Sequence, residues 1–156
     1  MKLAFIFVGG QKEEWLMELS QDYVKKIGFF CPTEIIRLKP PKLARASSVQ
    51  KLATETADIL KVLKPEDLLV VCDEKGEAVT SKKFSEKMVK LFERGRPRVV
   101  FLIGGAFGFN DEIRARANWE LSLSNLTYNH HIAQAVLLEQ VYRGFAIWKN
   151  LPYHNE

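Results

Sequence analysis

Five short apolar runs, each followed by a stretch of different character, constrain this chain more than any single motif. Lys2–Val8 (KLAFIFV), Thr33–Leu38, Leu68–Asp73 (LLVVCD), Arg98–Ile103 (RVVFLI) and Trp119–Ser124 are each six or seven residues long. Such runs, bounded by turn residues, read as strands of a sheet buried on both faces. Helical periodicity fills the intervals. QKEEWLMELSQDYVKKIG sets Trp15, Leu16, Leu19, Tyr23 and Ile27 along one face, and Gly28 stops it. Ser47-Ser48-Val49-Gln50 forms a capping box for a helix reaching about Leu63, closed by Pro65. Thr80 to Glu93 is amphipathic, with Phe84, Met88, Leu91 and Phe92 inward. Asn110 is a good N-cap, with Asp111 and Glu112 favoured in the first turn. Glu74-Lys75-Gly76 reads as a turn and Asn125–His131 as a polar loop before a last helix, His131 to Trp148.

This alternation predicts an α/β domain with a mainly parallel, five- to six-stranded sheet and helices on both faces. A chain of 156 residues makes one such domain, 1–156, with no repeat or linker. The last helix is apolar around most of its circumference, which suits either a core position or a shared subunit surface. In so small a domain the expectation is a homodimer.

Other classes fall away. The longest uncharged apolar run, Val99 to Phe109, has 11 residues including three glycines, too short to span a membrane. Leu3–Val8 follows a single lysine and precedes no small-residue cleavage site, so it reads as a strand and not a leader. Cys31 and Cys72 lie far apart without CxxC spacing, which argues for reduced thiols in a cytoplasmic protein and against a zinc site. Adjacent His130 and His131 diverge on a regular element and make a poor metal pair. No metal is expected.

Net charge is +4, and all of it sits in residues 1–65, where 11 basic side chains face 7 acidic ones. Arg37 to Lys51 carries five basic residues and no acid, and it spans Lys39-Pro40-Pro41-Lys42. Such a loop is either a solvated face or a contact for a phosphate backbone, with Lys39, Lys42 and Arg45 the candidates. Lys82 to Arg98 holds seven basic and two acidic residues on what reads as an ordinary solvated face.

In open parallel sheets ligands bind beyond the carboxyl ends of the strands. Three such ends carry unusual residues: Cys72-Asp73 with Gly76, the glycine cluster 104–108, and Ser122–His131. The cluster is GGxxG, neither a dinucleotide fingerprint nor a P-loop. It is either a tight turn or a place where exposed N–H groups meet a polar ligand. Glu139 and Arg143 stand four apart in the order that favours an ion pair, although Arg143 can also face a phosphate or base. His154 matters only where Trp148, Leu151, Pro152 and Tyr153 pin the tail to the body.

FLIGGAFGF (101–109), LSLSNLTYNH (121–130), LLEQVYRGFAI (137–147) and NLPYHNE (150–156), with LLVVCDEKG and the basic proline loop, resemble one family over essentially the whole chain. It is the bacterial ribosomal RNA large-subunit methyltransferase H family, a branch of the SPOUT or α/β-knot superfamily. The resemblance implies methyl transfer from S-adenosyl-L-methionine to N3 of a pseudouridine in 23S rRNA, on the assembled 70S ribosome. It also implies a homodimer and a C-terminal trefoil knot, which general topology rules disfavour.

Carried over by position, the cofactor-binding residues are Cys72, Gly104, Gly105, Leu123, Ser124, Asn125, Leu126, Thr127 and Tyr128. His130, Arg143, Tyr153 and His154 match positions near the target base. His154, ordered by Tyr153, is the expected base or base-positioning group, and Arg143 the nucleotide anchor. Cys72, Asn129 and Gln134 depart from the family's usual leucine, proline and arginine, and loss of charge at 134 invites compensation by another basic side chain. The rival readings are a non-enzymatic ribosome- or RNA-binding factor and an α/β enzyme acting on a small anion.

Overall fold

The computed structural model describes residues 1–42, 45 and 47–155. These form strands β1 (Lys2–Val8), β2 (Thr33–Leu38), β3 (Leu68–Ala78), β4 (Arg98–Ile103) and β5 (Trp119–Ser122). The helices are α1 (Glu14–Gly28), α2 (Ser48–Val62), α3 (Ser81–Phe92), α4 (Asp111–Arg116) and α5 (His130–Trp148). The sheet runs β2-β1-β4-β3-β5, and every neighbouring pair is parallel.

Strand alternation sorts the core into two layers. Leu3, Phe5 and Phe7 of β1, with Val99, Phe101 and Ile103 of β4, pack against Phe84 and Met88 of α3 and Leu137, Val141 and Phe145 of α5. Ala4, Ile6 and Val8, with Val100 and Leu102, meet Ile59 of α2 and Ile113 of α4. Both faces of the central strands are therefore dry, which is why their sequences are continuous apolar runs.

Local signals start the α2 and α4 helices where expected, and α5 one residue earlier. The Ser47 hydroxyl accepts from Gln50 N at 3.2 Å while Ser47 N donates to Gln50 Oε1 at 3.0 Å, completing the capping box. Asn110 Oδ1 accepts from Ile113 N at 3.2 Å. Asn129 caps α5 by accepting from Ile132 N at 3.0 Å, so the helix begins at His130.

Three expectations need correction. Trp15 is 44% exposed, because α1 docks through Leu16, Ser20 and Ile27 and Trp15 sits about 100° around the helix from Leu16. β3 does not stop at Asp73. Its ladder breaks after Cys72, residues 73–76 bulge out, and pairing resumes at Glu77, both flanks aligning with Leu121. The predicted turn is an interruption inside a strand. Finally, β5 ends at Ser122, where the Ser122 hydroxyl turns to donate to Ser124 O at 3.0 Å.

Candidate active site

β3, β4 and β5 are adjacent, so the segments leaving their carboxyl ends meet. Between them lies a cavity of about 690 Å³, inside the range of ligand pockets. Of the nine candidate cofactor positions, Cys72, Gly104, Gly105, Leu123, Ser124, Leu126, Thr127 and Tyr128 line it, and so does His130. Asn125 is exposed and lies outside the lining.

The glycine loop is shaped by a residue that no sequence motif singles out. Glu55 on α2 is 4% exposed and accepts the Gly105 N–H at 2.8 Å. A Cβ on Gly105 would stand 2.7 Å from Glu55 Oε2, and one on Gly104 would stand 2.8 Å from the Phe109 ring. The two glycines therefore let the loop close onto α2 with its other side open to the cavity. Burial pushes the Glu55 carboxyl above its ordinary 4.5, opposed by the Gly105 bond. An acid four residues before Ile59, on the buried face of α2, was the signal available.

A charged cluster forms another wall. Arg114 of α4 donates to Asp73 Oδ2 at 2.5 Å and to Glu120 Oε2 at 3.1 Å, and Asp73 Oδ1 accepts Lys75 N at 2.9 Å. Asp73, Lys75 and Arg114 all face the cavity. Cys72 offers its surface and not a thiolate, since burial and then Asp73 push its thiol far up. Burial and then His131 lower the His130 pKa, favouring a neutral ring at the cavity mouth.

The basic loop adjoins that mouth. A Cβ on Gly9 would lie 3.5 Å from Pro40 Cγ and 3.6 Å from His130 Nε2. Lys39, Lys42 and Arg45 are exposed. Lys51 Nζ stands 5.8 Å over the ring of Phe107 in the glycine loop.

The remaining candidates lie elsewhere. Arg143 follows His130 by 13 residues on α5, about 20 Å along the helix. Around Arg143 the tail folds back, held in part by the side chains anticipated: the Trp148 ring packs on Phe92 and Phe145, and Tyr153 on Tyr142. Leu151 and Pro152 are exposed, while Tyr153 and His154 make the attachment. The Tyr153 hydroxyl donates to Glu139 Oε1 at 3.1 Å, its ring meets that of Tyr142 at 4.8 Å, and the Arg143 guanidinium lies 4.7 Å from its centroid. Burial, then Tyr23 and Glu139, push the Tyr153 phenol up to about 12. Arg143 donates to Glu139 and reaches His154 Nδ1 at 3.1 Å.

Gln134 is fully buried. It accepts from Arg37 Nη1 at 2.7 Å, so a guanidinium from β2 occupies this region from the opposite side. Among the described residues no group of three or more His, Cys, Asp or Glu could hold a metal ion, and no helix is long and apolar enough to cross a membrane.

Comparison with known proteins agrees over the whole length. A family model described as a predicted SPOUT methyltransferase matches residues 1–154. A Bdellovibrio bacteriovorus protein named ribosomal RNA large subunit methyltransferase H is 43% identical over 155 residues, covering 99% of both chains. Proteins of that name from Geobacter metallireducens and Acetivibrio thermocellus are 38% and 35% identical, each covering 99% of both chains. With a parallel α/β sheet and a cavity where three strands end, the chain belongs to the SPOUT methyltransferase family.

Proposed function

We propose that this enzyme methylates N3 of a pseudouridine in 23S rRNA on the assembled 70S ribosome, in the cytoplasm, using S-adenosyl-L-methionine. The observation carrying this reading is the convergence of the glycine loop, Cys72 and the 123–128 segment on one cavity of suitable size. The fit to the cofactor is chemical as well. Gly104 and Gly105 let the loop draw back onto α2 and leave the cavity its room, Leu123 and Leu126 supply apolar surface, and Ser124 and Thr127 supply hydroxyls. When bound, that cofactor supplies an electrophilic methyl group.

The protein's part is to bind, orient and strip water from the reacting groups. Leu123–Tyr128 and the glycines hold the donor site. Arg143 anchors the nucleotide, and Tyr153 and His154 position the base. Lys39, Lys42 and Arg45 contact rRNA phosphates. The C-terminal trefoil knot belongs to this reading; at Gly76 a Cβ would stand 2.6 Å from the Leu121 backbone, so the 73–76 bulge lies directly against β5.

The working unit in this reading is a homodimer. One chain keeps its tail cluster about 20 Å from its own His130, measured along α5. A second copy can deliver its tail to this cavity, and Trp15 (44% exposed) and Ile132 (40%) on α1 and α5 offer apolar contact surface.

The test is radiolabelled methyl transfer to 70S ribosomes with and without pseudouridines in the target loop. Transfer only to the modified particles is expected. Equal transfer to both refutes pseudouridine specificity, and transfer to neither refutes the substrate. Ribosome binding without affinity for S-adenosylmethionine would favour a non-enzymatic factor.

A further inference from the structure

The two ring nitrogens of His154 are not equivalent. Arg143 Nη1 lies 3.1 Å from Nδ1. A guanidinium has donors only and keeps its charge in proteins. In this contact Nδ1 must offer its lone pair, so the geometry selects the tautomer that carries its hydrogen on Nε2. Arg143 has little freedom to turn away. Its Nε and Nη2 donate to Glu139 Oε1 at 3.0 and 2.6 Å, and the same oxygen accepts the Tyr153 hydroxyl at 3.1 Å. The groups facing this cluster are Tyr142 on α5, Tyr23 on α1, and the Lys26–Asp22 pair of α1, with Lys26 Nζ 6.0 Å from the Tyr142 ring. Glu139, Arg143 and His154 thus form a line in which each member fixes the next.

We propose that His154 serves the reaction as a hydrogen-bond donor through Nε2–H, and not as the proton acceptor. This rests on the proposed function, in which the tail faces the pseudouridine. N3 of that base lies between two carbonyl groups. As the N3–H bond breaks, the proton goes to solvent water or hydroxide. The electron pair stays on N3 and spreads onto the flanking carbonyl oxygens. A hydrogen bond from Nε2–H to one of them stabilises the anion, as preorganised donors stabilise oxyanions in general. In this tautomer the ring's one basic lone pair is on Nδ1 and points at Arg143, so Nε2, the nitrogen left to face the substrate, already carries a hydrogen and does not accept the N3 proton. Glu139 is a positioning residue: it sets which nitrogen carries the hydrogen without touching substrate.

Two measurements on the full-length protein test this. In ¹⁵N NMR of the free enzyme at neutral pH, His154 should show an unprotonated Nδ1 and a protonated Nε2. A protonated Nδ1, or equal exchange between tautomers, overturns the proposal. Glu139→Gln should weaken this tautomer bias while the amide spectrum stays folded; an unchanged bias removes Glu139 from the line. The second measurement is single-turnover methylation of 70S ribosomes by His154→Gln and His154→Ala. Glutamine can accept from Arg143 through Oε1 and donate through Nε2, but it cannot take a proton. His154→Gln should stay within about tenfold of the wild-type rate with an unchanged pH profile, while His154→Ala should lose about 100-fold. Equal loss in both variants, or full activity in both, overturns the donor role. A wild-type protein that transfers no methyl group refutes the substrate reading and the donor role with it, while the NMR result still decides the tautomer.

Discussion

Arg37 Nη1 donates to Gln134 Oε1 at 2.7 Å, joining β2 to the fully buried side of α5 across 97 positions of sequence. The same nitrogen lies 3.1 Å from Gly9 O, and Arg37 Nη2 donates to Ser20 Oγ at 2.7 Å. One guanidinium therefore ties α1, the Gly9-Gly10 loop and α5 together beside the cavity mouth. Burial lowers its pKa, while Gly9 O, Gln134 Oε1 and Ser20 Oγ accept its hydrogens. A Cβ on Gly10 would sit 2.8 Å from Arg37 Nη1, so the loop must be glycine there, where φ is also +92°.

This pair should behave as a coupled unit. A double-mutant cycle with Arg37→Met and Gln134→Met, read by urea denaturation at fixed protein concentration, should give a coupling of about 1–3 kcal/mol. Gln134→Arg should cost more than either single change, because it buries a second guanidinium against the first. Additive single changes would show that the two do not interact.

Glu55 predicts a pH-dependent stability difference. Its folded-state pKa is raised above the ordinary 4.5, so between those values the native state binds more protons than the unfolded one, and stability falls as pH rises through that window. Glu55→Gln keeps an acceptor for Gly105 N–H and removes the desolvated charge. Its Tm should exceed wild type at neutral pH, and the gap should close as pH falls below 4.5. A gap independent of pH in calorimetric scans would contradict this.

Gly76→Ala should damage β5 and the cavity together. Its Cβ would stand 2.6 Å from the Leu121 carbonyl carbon and 2.7 Å from that of Glu120, and backbone cannot yield as a side-chain end can. A loss of about 1–3 kcal/mol in thermal denaturation is expected. Affinity for S-adenosylmethionine, measured by titration calorimetry, should fall as well, because Asp73–Lys75 line the cavity.

Replacing Lys39, Lys42 and Arg45 with glutamine should weaken ribosome binding and leave cofactor affinity unchanged. Each phosphate that the protein no longer neutralises should lower the slope of log affinity against log salt by about 0.7–0.9. Filter binding across a salt series checks this. An unchanged slope would assign these exposed residues to solvent alone.

Much of the scaffold was legible in the chain. Strand runs announced themselves because β1, β3 and β4 are dry on both faces, and caps at Ser47 and Asn110 are decided within four residues. Even the cavity was foreseeable, since parallel strands gather their carboxyl ends. The misreadings occurred where a distant partner overrode a local signal. Gly76 reads as a turn until Leu121 pairs on both sides of the bulge. Trp15 reads as core until α1 is docked through its neighbours.

By itself, then, the sequence determined the elements, their order and the family, because periodicity, capping and turn chemistry act between near neighbours. Only the tertiary structure decided that Glu55 braces a loop 50 residues away, that Arg37 meets Gln134, and that Glu139 and Arg143 add polar anchors to the ring contacts that hold the tail. Such contacts depend on which side chains lose water together, and that is settled by packing across the whole fold, which no local pattern encodes.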